Sequence, residues 1–364
     1  VYVATTSQIY NEFSSGKQDP TAIRDFIRMV YNRGGDDSLH QLKYVLLFGD
    51  GSYDMKNRLP LNTNYVPVWQ TMNSLTPTSS YVSDDYFALL DSLEGEYLYG
   101  DLDVGVGRFP AENIVQANIL VAKAMRYGAN EDLLPDSFEN GKVSNYGSWR
   151  NSVAFIADDE DSNIHLKQAE KLTEIVDSLT RIININKIYL DAYEQVNSPF
   201  GTKYPDVNNE IKRQIEKGAL LINYTGHGGE SGLATEGVIT MADIDQYENY
   251  YNLPVFITAT CEFSRYDNPA YTSAGEKLLL NSKGGAAALF STTRVAYAHS
   301  NEVINRYFIR TVFDSGNING VRFGDMIRTA KNLCPLGIYM QNFTLLGDPA
   351  LALAMPANRV VTDF

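Results

Sequence analysis

Residues 219–232 read A-L-L-I-N-Y-T-G-H-G-G-E-S-G. An apolar run of strand length, Ala219–Tyr224, leads straight into a histidine set between glycines. The chain has only 4 histidines, so this placement is informative. The next comparable stretch is P-V-F-I-T-A-T-C-E-F at 254–263, where one of only 2 cysteines follows the run Val255–Ala259. Both runs are apolar on both faces, as strands of a covered parallel sheet are.

Further runs of the same kind are Tyr44–Phe48, Val104–Val106, Val153–Ala157 and Ala286–Phe290. Between them lie segments with apolar residues at helical spacing: Thr21–Asn32, Ile114–Tyr127, Ile164–Leu179, Asp206–Lys217 and Ala274–Leu280. Strand and helix alternate, which predicts an α/β protein with wound sheets. At 364 residues the chain has room for roughly two to three domains or subdomains. The polar Gly-, Pro- and Asn-containing stretch at 128–150 is the best internal boundary. It divides residues 1–148, an N-terminal α/β subdomain, from 149–355. Residues 356–364 are expected to begin a following module or linker.

Composition narrows the function. With a net charge of -14 and no Lys- or Arg-rich run, nucleic acid is not an expected partner. No apolar stretch reaches the ~18 residues of a membrane span. Because the chain starts at Val1 without a visible signal peptide, it is expected to be a piece of something longer. Two cysteines, Cys261 and Cys334, cannot make a disulfide scaffold, though one bridge is open to them. Cys334 has no motif around it and is expected to be packing. The histidines (His40, His165, His227, His299) lack zinc spacing.

In wound sheets ligands bind beyond the carboxyl ends of the strands, where both His227 and Cys261 fall. A thiol needs a nearby imidazole to become a nucleophile. The N–H groups of Gly228 and Cys261 can then hold an oxyanion. The same residues also fit a packed core cysteine and a plain glycine turn. Asp50 and Asp54, in F-G-D-G-S-Y-D at 48–54, follow a strand but lack the lysine of a phosphate-binding loop, so a tight strand-exit turn is expected.

N-Y-T-G-H-G at 223–228 followed by T-A-T-C at 258–261 resembles the signature of the gingipain family of cysteine peptidases, in the caspase-like clan. S-D-D-Y-F at 83–87, V-G-R-F-P at 106–110, W-R-N-S-V-A-F-I-A-D-D-E-D at 149–161, A-L-F-S-T-T-R at 288–294 and L-L-G-D-P-A-L at 345–351 resemble other family segments in the same order. The resemblance implies a caspase/gingipain-like α/β/α sandwich with two tandem wound-sheet subdomains, 149–355 being the catalytic one. It implies Cys261 as nucleophile, His227 as base, and Gly228 with Cys261 as oxyanion donors. An acid after the strand that opens the catalytic part would orient the imidazole. In A-D-D-E-D, Glu160 is favoured by alignment and Asp158 by a small shift. The acids of this turn also suit a structural calcium ion, which the family binds; no other cofactor is implied.

Arginine-specific members hold an Asp in the primary pocket. Here that position falls at Asn163, with Tyr297 as a pocket wall. Loss of the counter-charge points to the sortase branch of the family, which serves the type IX secretion system. Those relatives remove C-terminal secretion signals from cargo proteins at the outer-membrane surface and pass the new carboxyl end to lipopolysaccharide. Expected partners are therefore cargo proteins, a lipopolysaccharide acceptor and other secretion-system proteins. A secreted gingipain-like protease and a non-catalytic binding module are the alternatives.

Overall fold

The computed structural model describes residues 1–35, 39–95, 97–128, 147–199, 201–314 and 320–356. Most of the proposed boundary at 128–150, and the tail beyond residue 356, lie outside them.

Among the described residues, eight strands form one sheet. In chain order they are β1 (Tyr44–Phe48), β2 (Gly105–Phe109), β3 (Ser152–Ala157), β4 (Asn184–Tyr189), β5 (Leu221–Thr225), β6 (Val255–Ala259), β7 (Ala288–Thr292) and β8 (Phe343–Leu346). Their order across the sheet is β1-β2-β8-β7-β6-β5-β3-β4. Every pairing is parallel except β7 with β8. The two strands of the first 148 residues are thus hydrogen-bonded into the same sheet as the rest, through Leu346 and Arg108.

Alternation along the strands feeds two cores. Val153, Phe155, Leu221, Val255, Ile257, Ala288 and Phe290 pack with residues of helices Glu160–Leu179, Ala298–Phe313 and Phe323–Leu333. Their neighbours Ala154, Ile156, Ile222, Tyr224, Phe256 and Leu289 face helices Pro205–Lys217 and Ala274–Leu280. These strands carry no polar face because both sides are covered, as the continuous apolar runs require. A third cluster, including Ile23, Ile27, Leu47, Phe87 and Val106, packs under the first helices.

A buried polar joint ties the early segments to the later ones. The Arg108 guanidinium makes two hydrogen bonds to Asp84, at 2.9 and 2.7 Å. Tyr266, five residues past Cys261, donates its hydroxyl to the same carboxylate at 3.0 Å. Its ring lies 4.8 Å under the guanidinium. A second buried pair, Lys331 with Asp85, completes the joint. No described helix is long and apolar enough to cross a membrane.

Candidate active site

Three adjacent strands end in one row. Ala157 of β3, Thr225 of β5 and Ala259 of β6 are register partners. The next residues on these strands, Asp158, Gly226-His227 and Thr260-Cys261, therefore leave the sheet side by side. An offset of 34 residues relates Thr225 to Ala259, and the same offset relates His227 to Cys261.

Glycine is needed here for close approach. A Cβ on Gly226 would meet Asp158 Cβ at 2.4 Å and the Tyr224 hydroxyl at 2.6 Å. A Cβ on Gly228 would meet Thr260 Oγ1 at 2.5 Å, so the two strand-exit loops touch at that point. The His227 backbone is fixed from both sides: its N–H donates to Asp158 at 2.8 Å, and its carbonyl accepts from the Tyr224 hydroxyl at 2.6 Å.

Asp158 is fully buried, and burial pushes its pKa up to about 6. It holds the main chain of His227. The ring is met by two other acids, with Asp161 Oδ2 3.1 Å and Glu160 Oε2 3.4 Å from Nε2. Of the two acids favoured from sequence, Glu160 lies near the ring but is not the nearer acid. Asp161 takes that place because the chain makes a left-handed turn at Asp161–Asn163, with φ of 57, 56 and 64°. Three successive non-glycine residues in this region are strained, a condition concentrated at functional sites. Asn163 is exposed in that turn. An exposed position does not form the buried floor of a specificity pocket, which is the place the family resemblance gave Asn163.

His165, which has no zinc spacing in the sequence, lies beside His227. Its ring packs edge-on against His227 at 5.2 Å, and its Nε2 lies 3.5 Å from Asp161 Oδ2. Burial lowers its pKa, with His227 adding to the effect. The left-handed turn at Asp161–Asn163, rather than helical spacing, brings Asp161 and His165 together, so the sequence carried no signal for the pair.

Cys261 is partly buried, and burial raises its thiol pKa. Its Sγ exchanges weak hydrogen bonds with the backbone of Ala296, both at 3.5 Å, and the N–H of Ala296 opposes the shift. The next residue, Glu262, is also left-handed, at φ 53°. The loop is stitched to the end of β7 by Thr292 Oγ1 to Thr260 O at 2.6 Å, and by a two-pronged Arg294–Asp267 pair at 2.6 and 2.5 Å. Tyr297, beside Ala296, is half exposed, and its hydroxyl donates to Thr78 at 3.3 Å. Cys334 is buried, and both cysteines are free, so the possible bridge between them is not made. In the 48–54 loop, Asp54 accepts the N–H groups of Arg58 and Leu59, as a turn former does.

Among the described residues, two donor groups lie close enough to hold a cation: Asp158, Asp159 and Glu236, and Asp158, His165 and His227. The first is all oxygen, as calcium prefers, but it supplies three of the six to eight oxygens that ion takes. Tyr204 and Thr235 already donate to it.

The sequence model of peptidase family C25 matches residues 1–354. The chain belongs to that family, the gingipain family of cysteine peptidases. No curated protein matches it. Among solved structures, the Arg-specific cysteine proteinase gingipain R has a TM-score of 0.66 at 18% identity, over 94% of this chain and 70% of its own. The complex of Porphyromonas gingivalis RgpB pro- and mature domains gives 0.66 at 18%, over 94% and 72%. Dimeric latent PorU from Porphyromonas gingivalis gives 0.46 at 24%, over 96% of this chain but 27% of its own. The mostly parallel sheet with helices on both faces is the gingipain/caspase-like fold.

Proposed function

We propose that this chain is a sortase-type cysteine peptidase that removes C-terminal secretion signals from cargo at the bacterial surface, with Cys261 as nucleophile and His227 as base. The observation that carries the dyad is the shared offset: both residues stand two positions past register partners on neighbouring parallel strands. With Nε2 facing Asp161 and Glu160, the neutral imidazole donates there and keeps its lone pair on Nδ1.

His227 takes the thiol proton, and the Cys261 sulfur adds to the scissile carbonyl. The N–H groups of Gly228 and Cys261 receive the oxyanion. As the carbonyl re-forms, the C–N bond breaks and the imidazolium gives its proton to the leaving amine. A thioester remains, and water or an amine on lipopolysaccharide attacks it, which releases the thiol. The thiol's raised pKa makes His227 necessary: burial disfavours a standing thiolate, so proton removal accompanies attack.

The test is incubation of the purified chain with a cargo protein bearing its C-terminal signal, with and without lipopolysaccharide, read by mass spectrometry. A signal-free product joined to the acceptor is the expected result. Hydrolysis after Arg in unrelated peptides, with the cargo left whole, would move the chain to the secreted proteases. No covalent adduct on Cys261 with any substrate would leave the binding-module reading.

A further inference from the structure

We propose that Asp158, His165 and His227 form a site for a divalent transition metal of the Zn²⁺ class, and that filling it silences the peptidase by withdrawing His227 from the dyad. The inhibitory consequence rests on the function proposed above; the site does not.

One donor atom from each residue lies within 4.8 Å of the other two. Zinc bonds of about 2.0–2.2 Å place tetrahedral donors roughly 3.4 Å apart, so a modest contraction closes the set. The side chain able to supply it is His227, which is 41% exposed, whereas Asp158 and His165 are buried. His165 is the independent sign of a ligand. It is 4% exposed, and neither ring nitrogen finds a hydrogen-bond partner among the described residues. Its Nε2 has only the 3.5 Å approach of Asp161, and a buried Nδ1 without a hydrogen bond is costly. A metal beside it would satisfy one nitrogen.

Donor chemistry selects the ion. Two imidazoles and one carboxylate suit Zn²⁺ and its neighbours, whereas calcium and magnesium take oxygen. Outer partners are in place as well: Asp158 accepts the backbone N–H groups of His227 and Asp159, at 2.8 and 3.0 Å, which fixes its carboxylate. Asp161 and Glu160 add negative charge at the mouth. A metal bonded to His227 occupies a lone pair and sets the ring's orientation, so the imidazole no longer collects the Cys261 proton. Cys261 has no part in the site, which separates it from metal capture by a thiolate.

The experiment titrates Zn²⁺ into the whole purified chain against a chromogenic chelator, with no substrate present. One ion per chain is expected. His165→Gln and Asp158→Asn should each weaken binding by about 10–100-fold or more, and Cys261→Ala should not weaken it. On the unmodified chain, Co²⁺ should give visible tetrahedral bands without thiolate-to-metal charge transfer. That readout needs no variant, and circular dichroism checks that the variants fold. Absence of stoichiometric binding, retention in His165→Gln, loss in Cys261→Ala, or a thiolate band would each overturn the site. Zn²⁺ that binds as described to a chain without peptidase activity would defeat the functional reading alone. Equal inhibition of the parent and His165→Gln enzymes would defeat the inhibitory role alone.

Discussion

Asp161 Oδ2 stands 3.1 Å from Nε2 of His227, and it reaches that point from a left-handed turn. The acid nearest the ring thus comes from the residue that opens a strained segment. Asp161→Asn should lower kcat by about tenfold with little change in KM. The modest size follows from the exposure of the pair, since exposed ion pairs are screened. Glu160→Gln, at 3.4 Å, should do less. Equal effects of the two substitutions on kcat would reject Asp161 as the principal orienting group.

Gly228→Ala places a methyl 2.5 Å from Thr260 Oγ1. The two loops must then part, and small misplacements at a reacting centre cost about 100-fold in rate. Thr260→Ala removes the obstructing oxygen, which is buried and has no partner among the described residues. The double variant should therefore recover much of the rate lost by the single one. Steady-state kinetics on the three variants is the check. No recovery would mean that Gly228 matters for another reason.

The pKa of Cys261 is raised by burial. A raised thiol pKa keeps the sulfur protonated at neutral pH and exposes the thiolate only as pH climbs through that value. Alkylation of resting enzyme by iodoacetamide should therefore quicken steadily on the alkaline side of an ordinary cysteine. A rate already at its plateau near neutrality would contradict this. Cys261→Ala should abolish turnover and leave the melting curve nearly unmoved, because a partly exposed thiol leaves little cavity.

Asp84→Asn should destabilise the fold. It removes the charge that pairs with fully buried Arg108, a kind of loss that costs about 3–5 kcal/mol. It also weakens the anchor of Tyr266 in the Cys261 loop. A clear drop in the urea midpoint, with kcat reduced even where the protein is fully folded, is the expected pair of results.

Much of this was legible in the sequence. The strands that carry His227 and Cys261 announced themselves because both their faces are apolar, and helix Ala274–Leu280 falls where its spacing placed it. Less visible were β4, whose N-I-N-K-I-Y is half polar as an edge strand can be, and β8, too short for a periodic signal. Helix Ala298–Phe313 was hidden by polar residues such as Asn301, Glu302 and Asn305, which are buried here. The sequence does not single out Asp161 or His165 as neighbours of the His227 ring, because a helical register gives no sign of a left-handed turn inside it. The backbone conformation at Asp161–Asn163, not residue type, decides which acid of A-D-D-E-D meets the ring.

The antiparallel β8 lies between β7 and β2, so the sheet cannot be finished in the order in which the chain is made. During synthesis β2 appears more than two hundred residues before the strand that joins it to the rest, and pairing over so long a separation is slow. Until Phe343–Leu346 is available, β1 and β2 have no strand pairing that joins them to the strands bearing His227 and Cys261. Completion of the sheet is in this way tied to synthesis through residue 346, and a ribosome-bound fragment ending before β8 would carry His227 and Cys261 on strands that can already pair, with β1 and β2 still apart from their sheet.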